Sequence, residues 1–193
     1  MGAIVPGTNP IIALGISGRT CSGKSTFIRG MRVRPDVRVI SFGRYVMAQA
    51  IELRLSTSRS TLQKLGDEMV EDDAEAFLTG AIEANPPASL TAPVIVFDGI
   101  RHEKIWKVVE SLYDVANLIG VSCPKGTCLQ RLIDRDGVPA GEAAAVLNHP
   151  MELTAERFVE KAAITLRTDM LTQNDTERAG RAIVDVFVGS APV

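Results

Sequence analysis

The stretch GISGRTCSGKST, residues 15–26, decides the fold of this chain. It follows a continuous apolar run, residues 11–17, of the kind that forms a fully buried parallel strand. It overlaps residues 25–31, whose pattern predicts a short helix that ends before Pro35. From Gly18 to Ser25 the stretch matches G-x-x-x-x-G-K-[ST], in which a glycine-rich turn joins a strand to a helix.

This pattern is typical of a loop that binds phosphate groups. Glycines let the main chain approach the phosphates closely, and successive N–H groups and the following helix N-terminus then favour the negative charge. Lys24 is expected to reach the β- and γ-phosphates, and the hydroxyl of Ser25 to hold Mg²⁺. A plain glycine-rich turn is the alternative, but the strand before the motif and the helix after it favour the phosphate loop. The predicted cofactor-binding residues are Gly18, Arg19, Thr20, Cys21, Ser22, Gly23, Lys24, Ser25 and Thr26.

Composition is consistent with one globular domain, residues 1–193, because hydrophobic residues are 46% of the chain and charged residues 23%. The net charge of -2 gives no reason to expect a nucleic-acid or membrane partner. Three cysteines and two histidines at these spacings do not suggest a structural zinc site. Cys21 is favoured as a filler of a permissive position over a redox switch. No targeting segment is evident, so a cytoplasmic location is expected.

Strands alternate with helical segments along the rest of the chain. Strands are predicted at 37–42, 93–99 and 117–123, with a weaker fifth strand within 164–174. Helices are predicted within 43–84 with a break near 56–60, from Ile105, from 127, and within 140–163 with a break at His149–Pro150. Asp175 is expected to cap a final helix with one apolar face, Ala179, Ile183, Val186 and Phe187. Residues 85–93 are predicted to form a loop. This alternation predicts a parallel sheet covered by helices on both sides.

A second cluster follows the third strand, in VIVFDGIRH. Asp98 ends that strand, at the edge where ligands bind in parallel sheets. It is expected either to orient Mg²⁺ through a water or to accept a proton from an attacking hydroxyl, the alternative being a helix N-cap. Arg101 is suited to bind a phosphate in bidentate fashion. His102 is favoured as a surface or packing residue.

Further arginines lie on two helical segments. Arg131 and Arg135 are four residues apart on a helix that is expected to overhang the site as a lid, where they would neutralise charge during phosphoryl transfer. Pairing with Asp134 and Asp136 on a solvated face is the alternative. Arg44 precedes Arg59 and Gln63, which are four apart and able to face a substrate together. A solvated or structural role remains open for each of them.

The chain resembles the nucleotide-kinase branch of the P-loop proteins. Four segments carry the resemblance: GRTCSGKST, then SFGRYVM…STSRSTLQKLGDEM, then VIVFDGIRH, then CLQRLIDRDG. VFDGIRH is similar to the strand-end motif of adenylate-kinase-type enzymes, which implies that Arg101 meets a substrate phosphate; the usual proline is absent and the spacing is one residue shorter. The C-terminal part, from Leu129, is similar to dephospho-coenzyme A kinases, and phage-type deoxynucleoside monophosphate kinases share the layout.

The resemblance implies a three-layer α/β P-loop kinase fold, with five parallel strands in the order 2-3-1-4-5. It implies a helical substrate insert at 43–92, a lid at 125–150, and ATP with Mg²⁺ as cofactors. The residues assigned to catalysis are Lys24, Asp98, Arg131 and Arg135; to the metal, Ser25 and Asp98; to the substrate, Arg44, Arg59, Gln63 and Arg101.

The acceptor predicted for the γ-phosphoryl group is nucleotide-like, and most specifically a (deoxy)nucleoside monophosphate. A dephospho-coenzyme A kinase would be expected to have an acidic residue after the second strand, whereas this chain has Phe42-Gly43-Arg44. A dephospho-coenzyme A kinase-like enzyme or a kinase for another unphosphorylated acceptor remains an alternative. A regulatory ATPase without a small-molecule acceptor is the other.

Overall fold

The computed structural model describes residues 11–86 and 93–189. These residues form five parallel strands: β1 Ile12–Ser17, β2 Val37–Ser41, β3 Val94–Asp98, β4 Val115–Ser122 and β5 Ile164–Arg167. The strand order is β2-β3-β1-β4-β5, which confirms the predicted topology. The first ten and last four residues of the predicted domain, and residues 87–92 of the predicted loop and insert, lie outside the described residues.

Nine helices occupy the described ranges. They are α1 Lys24–Met31, α2 Phe42–Glu52, α3 Arg59–Asp72, α4 Ala74–Glu83, α5 Glu103–Leu112, α6 Lys125–Asp136, α7 Ala140–Leu147, α8 Pro150–Lys161 and α9 Gln173–Gly189. None of them is both long and apolar enough to cross a membrane.

The central strand β1 is buried along its whole length, and its side chains serve two cores. Leu14 and Ile16 pack with Phe27 of α1 and Val184 of α9 on one face of the sheet. On the other face Ala13 packs in the core that also contains residues of β2–β3 and of α2–α5, including aromatic rings. A buried strand with apolar residues on both faces needs helices on both sides, and this accounts for the three layers.

The register of the strands aligns the carboxyl ends of β1, β2 and β3 at one edge of the sheet. Ile16 of β1 is paired with Asp98 of β3, and Ser41 of β2 is paired with the same Asp98. The three neighbouring strands therefore end side by side. The loop after β1 begins at this edge, and α2 starts there at Phe42, directly after β2.

Local hydrogen bonds explain where the helices depart from the predicted boundaries. The helical segment after residue 60 is split at Asp73, whose carboxylate accepts a hydrogen bond from the N–H of Ala76 at 2.9 Å and so caps α4. Asp175 takes part in the cap of the last helix as expected, but from inside the helix, and Thr172 is the residue at its start. The Oγ1 of Thr172 accepts the N–H of Asp175 at 3.1 Å and donates to its carboxylate at 2.6 Å, so the pair forms a capping box with Thr172 at its start.

The expected apolar face of α9 also needs one correction. Ala179, Ile183 and Phe187 pack against the core as predicted, but Val186 is exposed and Val184 is buried in its place. The reason is that Gly180 contacts the main chain of α1. The face of α9 that contains Gly180 and Val184 is therefore the one that packs against the core.

Candidate active site

The loop from Gly18 to Gly23 joins β1 to α1, and its backbone conformation restricts which amino acids can occupy some of its positions. A Cβ at Gly18 would collide with the carbonyl oxygen of Val121 in β4. Gly23 has a φ of 98°, in the left-handed region, and so does Cys21 at 60°. These two requirements explain the glycines of the motif. They also give the loop the inward-facing geometry that suits a phosphate chain.

A cavity of about 520 Å³, called the loop cavity here, lies over the second half of the loop and the start of α1. Its walls come from the loop, from α6 and from the segment between β5 and α9. The lining residues are Cys21, Gly23, Lys24, Ser25, Thr26, Arg131, Asp134, Arg135, Thr168, Leu171, Gln173 and Thr176. The first-turn N–H groups of α1 belong to Lys24, Ser25 and Thr26 and have no partner within the helix. The loop cavity therefore fits an anionic ligand with several phosphate groups.

A second cavity of about 280 Å³, the strand-end cavity, lies at the carboxyl ends of β2 and β3. Most of its wall is apolar and comes from Phe42, Val46, Leu62, Val70, Phe77, Ile105 and Met151. Polar groups are supplied by Lys24, Ser41, Gln63, Asp67, Asp98, Arg101 and His102. An apolar pocket with a few converging polar groups is the usual form of a small-molecule site.

Lys24 lines both cavities. Its ammonium donates hydrogen bonds to the carbonyl oxygens of Gly18 and Arg19, the second at 2.6 Å. Burial, reinforced by the charge of Arg101, lowers the pKa of Lys24 to about 8, although Glu152 and Asp98 act in the opposite direction. A lysine held in this way carries a charge that a bound phosphate would stabilise.

Asp98 is placed where a catalytic carboxylate would be useful. It lines the strand-end cavity together with Lys24, and the hydroxyl of Ser41 lies 3.5 Å from its carboxylate. Burial raises the pKa of Asp98, and the nearby charges of Lys24, Arg32 and Arg101 oppose that rise. A carboxylate with a raised pKa is a better proton acceptor than an ordinary aspartate.

The far side of the strand-end cavity carries two polar features. His102, which the sequence favoured as a surface or packing residue, lines the cavity with its Nε2 3.1 Å from the carboxylate of Asp67. Burial lowers the pKa of His102 despite the opposing charges of Asp67 and Glu71. The amide nitrogen of Gln63 is buried there and has no hydrogen-bond partner among the described residues. A buried amide without a partner is one that a ligand can satisfy.

Arg59 and Arg101 meet at a residue that the sequence analysis missed. Glu152, in the first turn of α8, accepts hydrogen bonds from Arg101 Nη1 at 3.0 Å and from Arg59 Nη2 at 3.3 Å. The same carboxylate accepts the N–H and hydroxyl of Thr20 in the loop, at 2.6 and 2.8 Å. Its side chain is fully buried. No motif marks this glutamate, and its partners lie far away in the sequence.

The two predicted lid arginines behave differently. Arg131 donates through Nη1 to the carbonyl of Cys21 at 3.3 Å and to Oγ1 of Thr168 at 3.1 Å. Thr168, also missed by the sequence analysis, donates in turn to the carbonyl of Ser22 at 2.7 Å. Arg131 and Thr168 thus brace the second half of the loop. Arg135 is paired with Asp136 at 2.6 Å and stays at the exposed rim of the loop cavity.

The side chains of five predicted residues line neither cavity: Arg19, Thr20, Ser22, Arg44 and Arg59. Thr20 and Arg59 are bound to Glu152 instead. Arg44 is exposed on α2. The side chain of Arg19 is buried away from the phosphates, where it pairs with Glu156 and donates to the carbonyl of Leu147 at 2.9 Å. The Oγ of Ser22 is buried without a hydrogen-bond partner in the part of the chain that the structure describes.

The donor groups at the junction of the cavities are compatible with Mg²⁺. Ser25 and Asp98 offer hard oxygen ligands on either side of Lys24, and Mg²⁺ usually takes only one or two protein ligands beside phosphate and water. Within the described residues no group of three or more His, Cys, Asp or Glu residues could hold a metal by itself. The assignment of the metal to Ser25 and Asp98 stays a prediction.

No protein-family model and no curated protein matches this sequence. Solved structures do match it. TT1252 from Thermus thermophilus has a TM-score of 0.59 and 21% sequence identity, covering 95% of this chain and 100% of that one. A shikimate kinase from Bacteroides thetaiotaomicron has a TM-score of 0.54 at 13% identity, covering 92% and 98% of the two chains. A dephospho-CoA kinase from Campylobacter jejuni has a TM-score of 0.51 at 16% identity, with the same coverage.

The chain has the P-loop kinase fold. At these identities the similarity establishes the fold alone. The chemistry has to be argued from the loop, the two cavities and the side chains between them.

Proposed function

We propose that this chain is an ATP-dependent phosphotransferase that moves the γ-phosphoryl group to a nucleotide-like acceptor. Its most specific form is a (deoxy)nucleoside monophosphate kinase. The observation that carries the proposal is Lys24, which lines both the loop cavity and the strand-end cavity. A phosphoryl group at its ammonium would be within reach of ligands on both sides. A module that only binds a nucleotide needs no second cavity at this point.

The loop cavity is the proposed ATP site. ATP supplies the transferable phosphoryl group, and Mg²⁺ neutralises part of its charge. The loop and first-turn N–H groups of Gly23, Lys24 and Ser25 would hold the phosphates, and Lys24 would exchange its bonds to the loop carbonyls for bonds to phosphate oxygens. Arg131 keeps the loop in shape through its bonds to Cys21 and Thr168. Positioning and charge stabilisation are the main sources of catalysis in such transfers.

The strand-end cavity is the proposed acceptor site. The ring of Phe42 and the aliphatic side chains around it suit the faces of a flat base. The unpartnered amide of Gln63 and the His102–Asp67 pair can hydrogen-bond to the edge of that base. Arg101, with Arg59 behind it at the junction with the loop, would bind the acceptor phosphate. Arg44 is outside this arrangement in the present conformation.

We infer that the helices flanking the two cavities serve as insert and lid. α2, α3 and α4 belong to the predicted insert, residues 43–92, and supply much of the strand-end cavity wall. α6 and α7 belong to the predicted lid, 125–150, and α6 contributes Arg131 and Arg135 to the loop cavity. Closure of these elements would exclude water, which otherwise competes with the acceptor for the phosphoryl group.

One observation favours a second candidate, a kinase for a hydroxyl acceptor. Asp98 has a raised pKa and stands in the strand-end cavity, where it could accept the proton of an attacking hydroxyl. A phosphate acceptor has no such need, since its oxygen is already ionised. The dephospho-CoA kinase and shikimate kinase among the structural neighbours suggest dephospho-coenzyme A and shikimate as the acceptors to test.

A panel of acceptors tests these candidates directly. ADP formation is measured with MgATP alone and after addition of each nucleoside and deoxynucleoside monophosphate, dephospho-coenzyme A or shikimate. We expect at least one nucleoside monophosphate to raise the rate about a hundredfold or more above the water background, because positioning of the acceptor supplies most of the acceleration. Lys24→Ala, purified identically, is the control for contaminating kinases and should show no such increase.

The outcomes of the panel separate the hypotheses. Acceleration only by dephospho-coenzyme A or shikimate would replace the monophosphate proposal with the hydroxyl-acceptor candidate. Slow ADP formation that no acceptor increases would contradict both and favour a regulatory ATPase. An increase that persists in Lys24→Ala would remove the loop lysine from the mechanism.

A further inference from the structure

Glu152 combines complete burial with a full negative charge. Its side chain has no exposed surface, and four donors from three parts of the fold surround its carboxylate. Burial raises the pKa of Glu152, but Arg101, the N–H and hydroxyl of Thr20, and Lys24 outweigh that effect and hold the pKa below its ordinary value. A buried carboxylate with this many partners stays ionised and fixes the groups that bind it.

The groups bound by Glu152 come from elements that border the two cavities, and Arg101 itself lines the strand-end cavity. Thr20 belongs to the phosphate loop, Arg101 follows β3, and Arg59 begins α3. Without the carboxylate, two guanidinium groups and the nearby Lys24 would repel one another, since Arg101 already lowers the pKa of Lys24. Glu152 thus joins the loop and both acceptor-side arginines into one rigid unit.

The arginines are oriented by Glu152 without being saturated. Each donates to it through a single terminal nitrogen, Nη1 of Arg101 and Nη2 of Arg59. Arg101 also lines the strand-end cavity, where its other donors are available. The Nε of Arg59 is buried and has no hydrogen-bond partner among the described residues. Arg59 lines neither cavity and also donates to the hydroxyl of Thr20, so it supports Arg101 from behind. The N–H groups of Arg101 that face the strand-end cavity are the ones that an incoming anion can use.

We propose that Glu152 is a positioning residue for the acceptor, holding Arg59 and Arg101 against the phosphate loop so that Arg101 binds the acceptor's anionic group beside the transferred phosphoryl group. This inference rests on the proposed function. Glu152 acts through the arginines, because its carboxylate is enclosed by their donor groups and by Thr20. The opposing hypothesis is that Glu152 occupies the acceptor's anion position and is displaced on binding.

Binding of inorganic phosphate distinguishes these two roles without any turnover. Phosphate is titrated by calorimetry into protein already saturated with MgADP, so that the phosphate loop is filled. The variants are Glu152→Gln, which removes the charge and keeps the shape, and Glu152→Asp, which keeps the charge on a shorter arm. Glu160→Gln, an exposed position on the same helix, is the matched control for the change in charge.

We expect Glu152→Gln to weaken phosphate binding about tenfold or more, because a charged hydrogen-bond network that orients two arginines is lost. Glu152→Asp should fall between Glu152→Gln and the wild type, and Glu160→Gln should match the wild type. The Kd of MgADP should change several-fold less than the Kd of phosphate, because only Thr20 of the loop loses its bonds to the carboxylate. General damage to the fold would weaken both ligands equally. In Glu152→Gln, the KM of an acceptor that the panel identifies should likewise rise more than the KM of ATP.

Several results would overturn the proposal. Tighter phosphate binding in Glu152→Gln would mean that the carboxylate competes with the anion. Unchanged binding, or an equal loss of phosphate and MgADP affinity, would leave Glu152 with a structural role only. If circular dichroism shows that Glu152→Gln is unfolded, Glu152→Asp decides, and binding equal to wild type then contradicts the inference. Failure of the wild type to bind MgADP at all would instead contradict the proposed function.

Discussion

At the residue scale, the proposed function depends on Lys24, whose charge is poorly solvated. Lys24 donates to two carbonyl oxygens of its own loop and lies close to Arg101. Burial of the ammonium is the main cause that lowers its pKa to about 8, and the charge of Arg101 adds to the effect. The triphosphate of ATP would supply the missing counter-charge.

The lowered pKa of Lys24 predicts that binding of MgATP takes up protons to an extent that depends on pH. Above pH 8 Lys24 is largely neutral in the free protein, and a bound triphosphate favours its charged form, so binding of MgATP should take up a proton. We expect uptake near zero at pH 7, rising toward one proton at pH 9, with affinity falling as the pH rises above 8. Calorimetry in two buffers of different ionisation enthalpy measures this uptake.

Lys24→Arg is the control for that measurement, because a guanidinium remains charged at both pH values. Its proton uptake at pH 9 should be much smaller than that of the wild type. Equal uptake by both proteins would assign the titration to another group and contradict the role given to Lys24.

Sequence reasoning identified candidate residues where they are contiguous in the chain and missed those that meet only through folding. Gly18, Gly23 and Lys24 could be predicted because the loop is one short segment with a strict backbone requirement. Glu152 could not, because 132 positions separate it from Thr20 and nothing in its own helix reveals a buried carboxylate. Thr168 was missed for the same reason.

At the scale of elements, the position of α1 behind the loop depends on its contact with α9. A Cβ at Gly30 would collide with the main-chain oxygen of Glu177, and a Cβ at Gly180 would collide with that of Phe27. The two helices therefore cross with their backbones in direct contact, and a glycine lies on each side of the crossing. This close approach sets the direction in which the N-terminus of α1 points toward the loop cavity.

Gly180→Ala should consequently destabilise the protein, by about 1–3 kcal/mol, because the helices must separate to admit the methyl group. Gly141→Ala is the matched control, since its Cβ would meet nothing within 4 Å in α7. It should be neutral or slightly stabilising, as expected for alanine in a helix. Chemical denaturation of both variants measures the change, and equal stabilities would contradict the described crossing.

The elements themselves were predicted well, and their ends less well. Hydrophobic patterns located β1 to β4 because these strands carry buried apolar residues. β5 is mostly exposed, and its pattern was correspondingly weak. The N-termini of α4 and α9 are each fixed by one capping side chain, that of Asp73 and that of Thr172. Several polar residues near each position could have acted as the cap. Hydrophobic periodicity carries no information on that choice.

At the scale of the whole molecule, the strand order places two cavities on one edge of the sheet and one lysine between them. β1 is central, so the loop that follows it is flanked by the ends of β3 and β4. Residues of α2, α3 and α4 line the strand-end cavity, and residues of α6 line the loop cavity. The resemblance to nucleotide kinases implied this layout, but the shape and polarity of the strand-end cavity could be described only from the folded structure.

The most direct measurement of the central claim is a calorimetric titration of MgATP into the wild-type protein and into folded Lys24→Ala, at two temperatures. We predict one binding site per chain in the wild type and an affinity at least about tenfold lower in Lys24→Ala, because a charged contact to the phosphates is lost. No binding heat at either temperature from a folded wild-type sample, or equal affinity in both proteins, would contradict a phosphate site built around Lys24.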